Sequence, residues 1–465
     1  MRSLSRAVTV GLSNARVANR MCLPLTGRPS VESHGGDVRA PRSEDLITIP
    51  TALISGASIA GPVLAFWLAE AGWDVTVVER ADRLRTGGYP VDIRGTAIDV
   101  VRRMGLYEQI SAQRYRHVPV VLLTPGGRRL CTLDYGNLLS SAGSADVELA
   151  KGALSEILYR ATADQVSYVF GDSIAAVTQA GRCVDVAFDR GAPRTFDVVI
   201  GADGIHSAVR RLTFGAEQSF IRHLGPYAAV WDVPTDMFAP GTGFLYSHAG
   251  RTVVVERPAD GGAARAFLTF VHRAPGTVNL RDADQILAAL REAFAEDNWR
   301  THDIIETLPD ADDVYFDSVS QVRMDCWSAG RVALVGDAGY APAFLSGQGT
   351  SIAIAGAYVL AGELARHRQP EQAFAAYEHR LRGYVEKNQN LALRTSSTVL
   401  SRTIGQLLRR NVKLSAVPWL HRLGLLHLLQ SELRTAAVDL ALTQHDLPSV
   451  SGIPEARRTA PGDAS

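Results

Sequence analysis

Ala52-Leu53-Ile54-Ser55-Gly56-Ala57-Ser58-Ile59-Ala60-Gly61-Pro62 passes from a short apolar run through a glycine-rich turn into a helical pattern. The run predicts a buried strand over Ala52–Ser55, the pattern a helix over Pro62–Ala71, and the next apolar run a strand over Val75–Glu79. Strand, helix and strand in that order make a βαβ opening, and hence an α/β fold built on a parallel sheet. Gly56 and Gly61 stand where a dinucleotide-binding turn needs glycine, with Ser58 in place of the middle one. Gly56 permits the tight turn and Gly61 lets helix and strand approach, while the helix start offers free N–H groups and a positive dipole to a pyrophosphate. Glu79 ends the second strand 23 residues after Gly56, the place of an acid that accepts hydrogen bonds from a ribose. Glycine-rich turns also occur without a ligand, so the context on both sides carries the reading.

Two further stretches join a buried strand to a small-residue turn. Val198–Gly201 runs into Ala202-Asp203-Gly204-Ile205-His206-Ser207-Ala208-Val209-Arg210. This reads equally as a capped turn, with Asp203 and Ser207 bonding local amides and Arg210 in solvent. Downstream, Ala333-Leu334-Val335 leads into Gly336-Asp337-Ala338-Gly339-Tyr340, and Ser346-Gly347-Gln348-Gly349-Thr350-Ser351 opens a new helix. A carboxylate outside a parallel strand, followed by backbone N–H groups at a helix start, suits a ribityl chain and a developing negative charge.

The 465 residues imply two or three lobes. Tyr227–Val233, Phe244–Tyr246, Thr252–Glu256 and Ala266–Val271 predict antiparallel strands between Phe220 and His272, a wall for a pocket. A buried strand is expected at Val332–Val335, and helices over Thr350–Ala365 and from Pro370 onward. There Phe374, Tyr377, Leu381 and Tyr384 fall at helical spacing and read as core; Trp419–Leu433 is amphipathic. Lys+Arg 48 and Asp+Glu 48 cancel, which argues against a nucleic-acid or anionic-lipid partner. The apolar runs fall short of the about 18 residues a spanning helix needs, so a cytoplasmic protein without a membrane span is expected. Cys22, Cys131, Cys183 and Cys326 are scattered, and no metal site is expected. Residues 1–48, with Arg2, Arg6, Arg16, Arg20 and Arg28 in an acid-free opening, are expected outside the fold, as a targeting segment or the product of an upstream start. Residues 451–465 read as a disordered tail.

In this order, over about Ile49–Leu393, the three motifs resemble the single-component, class A flavoprotein monooxygenases, including the p-hydroxybenzoate hydroxylase-like and tetracycline-inactivating enzymes. The resemblance implies a glutathione-reductase-like, Rossmann-type FAD domain with an inserted antiparallel-sheet substrate domain and C-terminal helices. The FAD domain is then expected over 49–219 and 316–369, the substrate domain over 220–315 and the helices over 370–450. It implies tightly but non-covalently bound FAD, held by Gly56, Ser58, Gly61, Glu79, Arg80, Asp92, Lys151, Asp203, Asp337, Gly347, Gly349 and Thr350. In the family the second motif, matched by Asp203, Gly204, Ser207 and Arg210, is associated with both FAD and the reduced nicotinamide. Asp92, in Tyr89-Pro90-Val91-Asp92-Ile93-Arg94-Gly95, corresponds to a residue close to the flavin in the tetracycline-inactivating branch. NADPH or NADH is implied as a transient reductant. One atom of O2 is then delivered, through a flavin C4a-hydroperoxide, to an aromatic or polyketide-like small molecule of secondary metabolism. A flavin-dependent epoxidase or oxidase, and a non-catalytic flavin-binding protein, are the alternatives; a homodimer stays open.

Four departures stand out. Lys151 replaces the arginine of the family's Glu-x-x-Arg-x-x-Leu segment, Gly339-Tyr340 replaces Ala-His, Ala343-Phe344 replaces paired prolines, and Ser351 replaces an asparagine. No second G-x-G-x-x-G occurs, so the nicotinamide is expected in a groove, and no tryptophan pair two apart supports a halogenase. No catalytic base is assigned; His206 and His223 are candidates by residue type alone. Tyr227 with Trp231, and Phe244 with Tyr246, share strand faces by even spacing, and with Phe344 beside the flavin they are expected to form an aromatic substrate wall. The same aromatics serve equally as a core face of the sheet.

Overall fold

The apolar run forms strand β1 (Thr51–Ser55), the glycine turn leads into helix α1 (Ala60–Glu70), and the chain returns as β2 (Asp74–Glu79). The computed structural model describes residues 49–84, 89–133, 145–272, 278–280, 282–422 and 440. The expectations for residues 1–48 and 451–465, and most of the stretch Trp419–Leu433, lie outside the described residues. The described residues from Ile49 onward form one compact unit.

β1 sits centrally in a six-stranded sheet, parallel to β2 on one side and to β11 (Val198–Gly201) on the other. The order is β17-β18-β11-β1-β2-β7, with β7 at Ser167–Phe170, β17 at Ser328–Ala329 and β18 at Val332–Leu334. Ala52, Leu53, Ile54, Val198, Val199 and Ile200 are wholly buried, as expected of strands covered on both faces. Helices α2 (Thr96–Arg103), α3 (Tyr107–Ala112), α4 (Lys151–Arg160) and α5 (Ala208–Phe214) accompany this layer.

The second main sheet has seven strands in the order β16-β12-β15-β14-β13-β4-β5. Four lie between Phe220 and His272: β12 (Ile221–Val233), β13 (Thr242–His248), β14 (Arg251–Arg257) and β15 (Ala264–Val271). β4 (Val120–Leu123) and β5 (Arg129–Leu133) come from the chain before them, and β16 (Tyr315–Val322) from after. β12 begins six residues earlier than read, because Leu224-Gly225-Pro226 forms a bulge within the strand rather than its end. A two-stranded antiparallel sheet of β3 (Pro90–Ile93) with β6 (Val147–Ala150), and a three-stranded sheet of β8 (Ile174–Ala180), β9 (Cys183–Phe188) and β10 (Arg194–Phe196), complete the strands described.

α6 (Ala283–Ala293) and α7 (Thr301–Ile305) cover one face of the seven-stranded sheet. Their Ile286, Leu290 and Ile304, with Phe294, pack on Tyr227, Trp231, Leu268, Phe270 and Phe316. α8 (Asp337–Tyr340) and α9 (Gly349–Arg366) follow β18. α9 packs on α1, and α10 (Pro370–Val399) packs on α9. Phe374, Tyr377, Leu381 and Tyr384 of α10 are buried in the core, as their spacing requires. α11 (Ile404–Arg422) lays Leu414 and Val417 over Val120, Leu122 and Leu245. Among the described residues no helix is long and apolar enough to cross a membrane.

Candidate cofactor and substrate site

The first turn demands glycine for steric reasons. Gly56 has φ +109°, and a Cβ there would lie 2.5 Å from the Ala202 carbonyl oxygen; a Cβ on Gly61 would lie 1.9 Å from the Gly56 oxygen. The first and second motifs therefore touch. α1 starts without a side-chain cap and without an acid in its first turn, leaving its orphan N–H groups and dipole to an external anion. Glu79 is pinned at the strand end, accepting from Ala57 N at 2.9 Å and Ala81 N at 3.0 Å, one on each carboxylate oxygen. Each oxygen keeps acceptor capacity for a ribose hydroxyl. Ser58 is half-buried in the turn and Arg80 is exposed.

In the second motif Asp203 accepts from Ala208 N at 2.8 Å and Val209 N at 3.1 Å, and Ser207 Oγ accepts from Arg210 N at 2.9 Å. That is the capped turn, with one correction: Arg210 is wholly buried, not solvated. Its guanidinium donates to the Ala338 carbonyl at 2.8 Å and the Ile205 carbonyl at 2.5 Å, binding the second motif to the third. His206 spends both ring nitrogens on carboxylates, Asp317 at 3.2 Å and Glu217 at 3.1 Å, and the Asp317 hydrogen bond leads in raising its pKa. His223, exposed on β12, bonds Ser320 Oγ through Nδ1 at 2.8 Å.

Asp337 opens α8 at the floor of a recess. It is open to solvent on one side and walled by protein on the others, and that desolvation raises its carboxyl pKa, with Lys151 opposing. Lys151 Nζ lies 5.5 Å from the centre of the Tyr89 ring. The start of α9 is close by, since a Cβ on Gly349 would lie 3.7 Å from Asp337 Oδ1. Gln348, its N-cap, is wholly buried with neither amide heteroatom hydrogen-bonded, and Thr350 is half-buried in the first turn. A Cβ on Gly347 would lie 3.1 Å from Asp92 Oδ2. Asp92 pairs with Arg94 at 2.7 Å, and burial, against the pull of Arg94, lifts its carboxyl to about 6. Ser351 latches this strand to α9, accepting from Arg94 N at 3.0 Å and donating to the Asp92 carbonyl at 3.2 Å. These residues fit FAD: an uncapped helix start for the pyrophosphate, a pinned acid for the ribose, a carboxylate at Asp337 and an orphaned buried amide at Gln348.

Phe344 lies in an aromatic box, its ring centre 4.6 Å from Tyr89, 5.1 Å from Tyr315 and 5.5 Å from Phe267. The other four expected wall residues are not part of it. Tyr227 stacks between Phe270 and Phe316 at 5.7 and 5.4 Å, and Trp231 Nε1 donates to Thr307 Oγ1 at 3.0 Å. Tyr246 stacks on Trp299 at 5.5 Å and donates its hydroxyl to the Pro125 carbonyl at 3.0 Å, while Phe244 sits 5.7 Å from Trp299. All four belong to the helix-backed face. Even spacing groups residues on one face but does not say which face meets the flavin loop. Tyr89, Phe267 and Tyr315, which sequence reasoning missed, are brought to Phe344 by the pairing of Val230 with both Phe267 and Tyr315 and by the pairing of β3 with β6.

Another departure proves to be packing. Tyr340 points into the core, its hydroxyl 2.8 Å from that of Tyr377 and its ring 4.6 Å from Trp327, in space that Gly356 leaves open. Ala343, preceding Phe344, is the one non-glycine with positive φ among the described residues, +99°, so the loop holds backbone strain at the site. A charged cluster also escaped the sequence reading. His117 lies 2.8 Å from Glu148 of β6 and 3.6 Å from Glu256 of β14. Burial works to lower its pKa, but the hydrogen bond to Glu148 and the charge of both carboxylates prevail and lift it to about 10.

Comparison with known proteins adds an independent line. The family model described as FAD binding domain matches residues 50–392. An uncharacterized protein of Mycobacterium tuberculosis is 42% identical over 343 residues, 73% of this chain and 91% of its own. A flavin-dependent monooxygenase of Legionella longbeachae is 35% identical over 350 residues, 75% of this chain and 89% of its own. The crystal structure of the tetracycline destructase Tet(55) superposes with a TM-score of 0.74 at 33% identity, over 85% of this chain and 99% of that one.

Proposed function

The chain belongs to the FAD binding domain family and is a flavin-dependent monooxygenase, and we propose that it uses NADPH or NADH to place one atom of O2 in a planar aromatic or polyketide-like small molecule. The observation that carries the substrate class is the aromatic box in which Phe344, on the loop that follows Asp337, meets Tyr89, Phe267 and Tyr315. Flat rings of this kind receive a planar ligand by stacking.

Bound FAD supplies the redox chemistry, accepting hydride from the nicotinamide and activating dioxygen. The chain's own residues bind, orient and keep dry. The α1 start takes the pyrophosphate, Glu79 a ribose, and Asp337 with the α9 start the ribityl and ring portions. Lys151 balances Asp337. Burial, reinforced by Asp337 and Asp317, raises the phenol pKa of Tyr89, and burial reinforced by Tyr89 and Asp317 does the same for Tyr315. Both rings therefore stay protonated and act as walls rather than bases. Excluding water matters here because leakage diverts reducing equivalents to hydrogen peroxide. We assign 49–219 and 316–369 to the FAD-binding part, with β4, β5 and β16 joining the substrate sheet of 220–315, and place the enzyme in the cytoplasm with the nicotinamide bound transiently in a groove.

The test uses purified, FAD-loaded protein. Asp337→Ala is expected to weaken flavin retention by on the order of 1–3 kcal/mol, because ligand hydroxyls lose their acceptor. Phe344→Ala is expected to keep flavin and fold but raise peroxide formed per NAD(P)H consumed, measured with a planar phenolic substrate under air. Wild-type flavin affinity in D337A, or unchanged coupling and substrate affinity in F344A, overturns the corresponding assignment.

A further inference from the structure

A second recess, a cavity of about 290 Å³, opens where β12 meets the end of α10. Arg222, His223 and Leu224 form one wall, and Leu393, Leu400 and Arg402 the other. Its polar lining is cationic without an acid to match. Among the described residues the Arg222 guanidinium has no hydrogen bond or ion pair, and the Arg402 guanidinium donates to the Leu224 carbonyl at 3.1 Å. His223 engages Ser320 through Nδ1, leaving Nε2 unengaged among the described residues. Arg323, bonded to Gln321, stands close enough that Arg222 adds to burial in lowering its pKa, with Glu386 the acid opposing them. Like charges gathered around a recess focus a positive field into it and favour an anion there.

The apolar floor links the recess to the reaction site. Leu224 packs in the same hydrophobic cluster as Ala343 and Phe344, the loop that follows Asp337. A molecule anchored at the arginines can therefore run over Leu224 toward Phe344. We propose that this recess is an anion-binding subsite of the monooxygenase, in which Arg222 and Arg402 hold the phosphate or ionised oxygen of a ligand whose body extends toward the flavin loop. Charge-assisted hydrogen bonds from guanidinium to such a group are short and strong. Two sources present that chemistry: the 2′-phosphate of NADPH, and an ionised acid or enol on the substrate.

The inference rests on the monooxygenase reading above, so its experiment has an arm that needs no turnover. FAD-loaded wild-type, R222K, R222Q and R402Q proteins are titrated calorimetrically with inorganic phosphate and with 2′,5′-ADP, and KM is measured for NADPH, for NADH and for a phenolic acid beside its methyl ester. A loss of about tenfold or more in anion affinity, or a rise of about tenfold or more in KM, in R222Q and R402Q, with R222K close to wild type, is the expected result. A rise confined to NADPH names the phosphate; a rise confined to the acid names the substrate's own anion. Affinities and KM values within about twofold of wild type in both glutamine variants overturn the subsite. Wild-type protein that oxidises neither nicotinamide defeats the reductant assignment, while the titration still judges the recess.

Discussion

The two faces of the seven-stranded sheet are built from alternate residues of the same strands, yet they differ in kind. The face under α6 and α7 presents Tyr227, Trp231, Leu268, Phe270 and Phe316, dry and closely packed. The opposite face presents Arg265, Phe267 and Thr269 from β15, Thr252 and Glu256 from β14, and Asp317 from β16. The first spends its side chains on cohesion. The second carries charges, hydroxyls and the ring that stacks on Phe344, groups that can meet a ligand or a neighbouring layer. Large aromatics alone therefore do not mark the site in this molecule; aromatics beside charges and hydroxyls on a buried face do.

The largest test of this contrast is Trp231→Ala. Trp231 is 1% exposed and donates to Thr307, so its removal opens a cavity in the helix-backed core and removes one of the two hydrogen bonds of the Thr307 hydroxyl, which keeps its bond to the Ile304 carbonyl. A loss of about 3–5 kcal/mol in urea unfolding is expected, with KM per folded enzyme unchanged. Retained stability with altered substrate affinity would return Trp231 to the pocket and erase the distinction between the faces.

A smaller effect is expected where the cofactor-facing side joins the two-stranded sheet of β3 and β6. His117→Gln removes the cation between Glu148 and Glu256 and should cost on the order of 3 kcal/mol near neutral pH. The sign of its pH dependence follows from a pKa raised from 6.5 to about 10. The contribution of His117 is full below pH 6.5 and is lost as pH rises through about 10, so the gap between wild type and variant should narrow from pH 7 to pH 10. Unfolding curves at the two pH values check it; a gap that widens would place a neutral imidazole in the cluster.

The contrast also explains what was legible in the sequence. The turn at Gly56 was readable because its demand is local: no side chain fits between the Gly56 turn and Ala202. The Gly336-Asp337 loop was readable for a similar reason, a strand that ends at Leu334 being followed by a helix that starts at Asp337, with only Val335 and Gly336 between. Alternation correctly grouped Tyr227 with Trp231 but left the direction of that face undefined, because both faces are covered. The direction is set by long-range pairing, β12 with β16 and β13 with β4, and neither β4 nor β16 stood out as part of that sheet. Arg210 and His117 escaped for the same reason. Their partners, Ala338, Glu148 and Glu256, are contributed by other elements, and an isolated arginine or histidine reads as solvated until the fold closes over it.

The smallest expected effect has the opposite sign. Ser247, Thr252 and Thr269 lie directly opposite one another on β13, β14 and β15, all buried and none with its hydroxyl hydrogen-bonded. A buried hydroxyl without a partner costs about 1–3 kcal/mol relative to one that is paired, whereas an apolar group of the same shape carries no such penalty. Thr269→Val should therefore leave the folded protein as stable as wild type or raise its stability by up to about 1 kcal/mol. On the opposite face truncation at Trp231 can only destabilise. A clear loss of stability in T269V means that the hydroxyl is already satisfied and this face is packed for cohesion after all. Unchanged or increased stability together with a higher substrate KM is the more informative result. It would mean that the row of hydroxyls is held unpaired in the resting protein and is completed by the ligand, the same division between cohesion and recognition that separates Trp231 from Phe267.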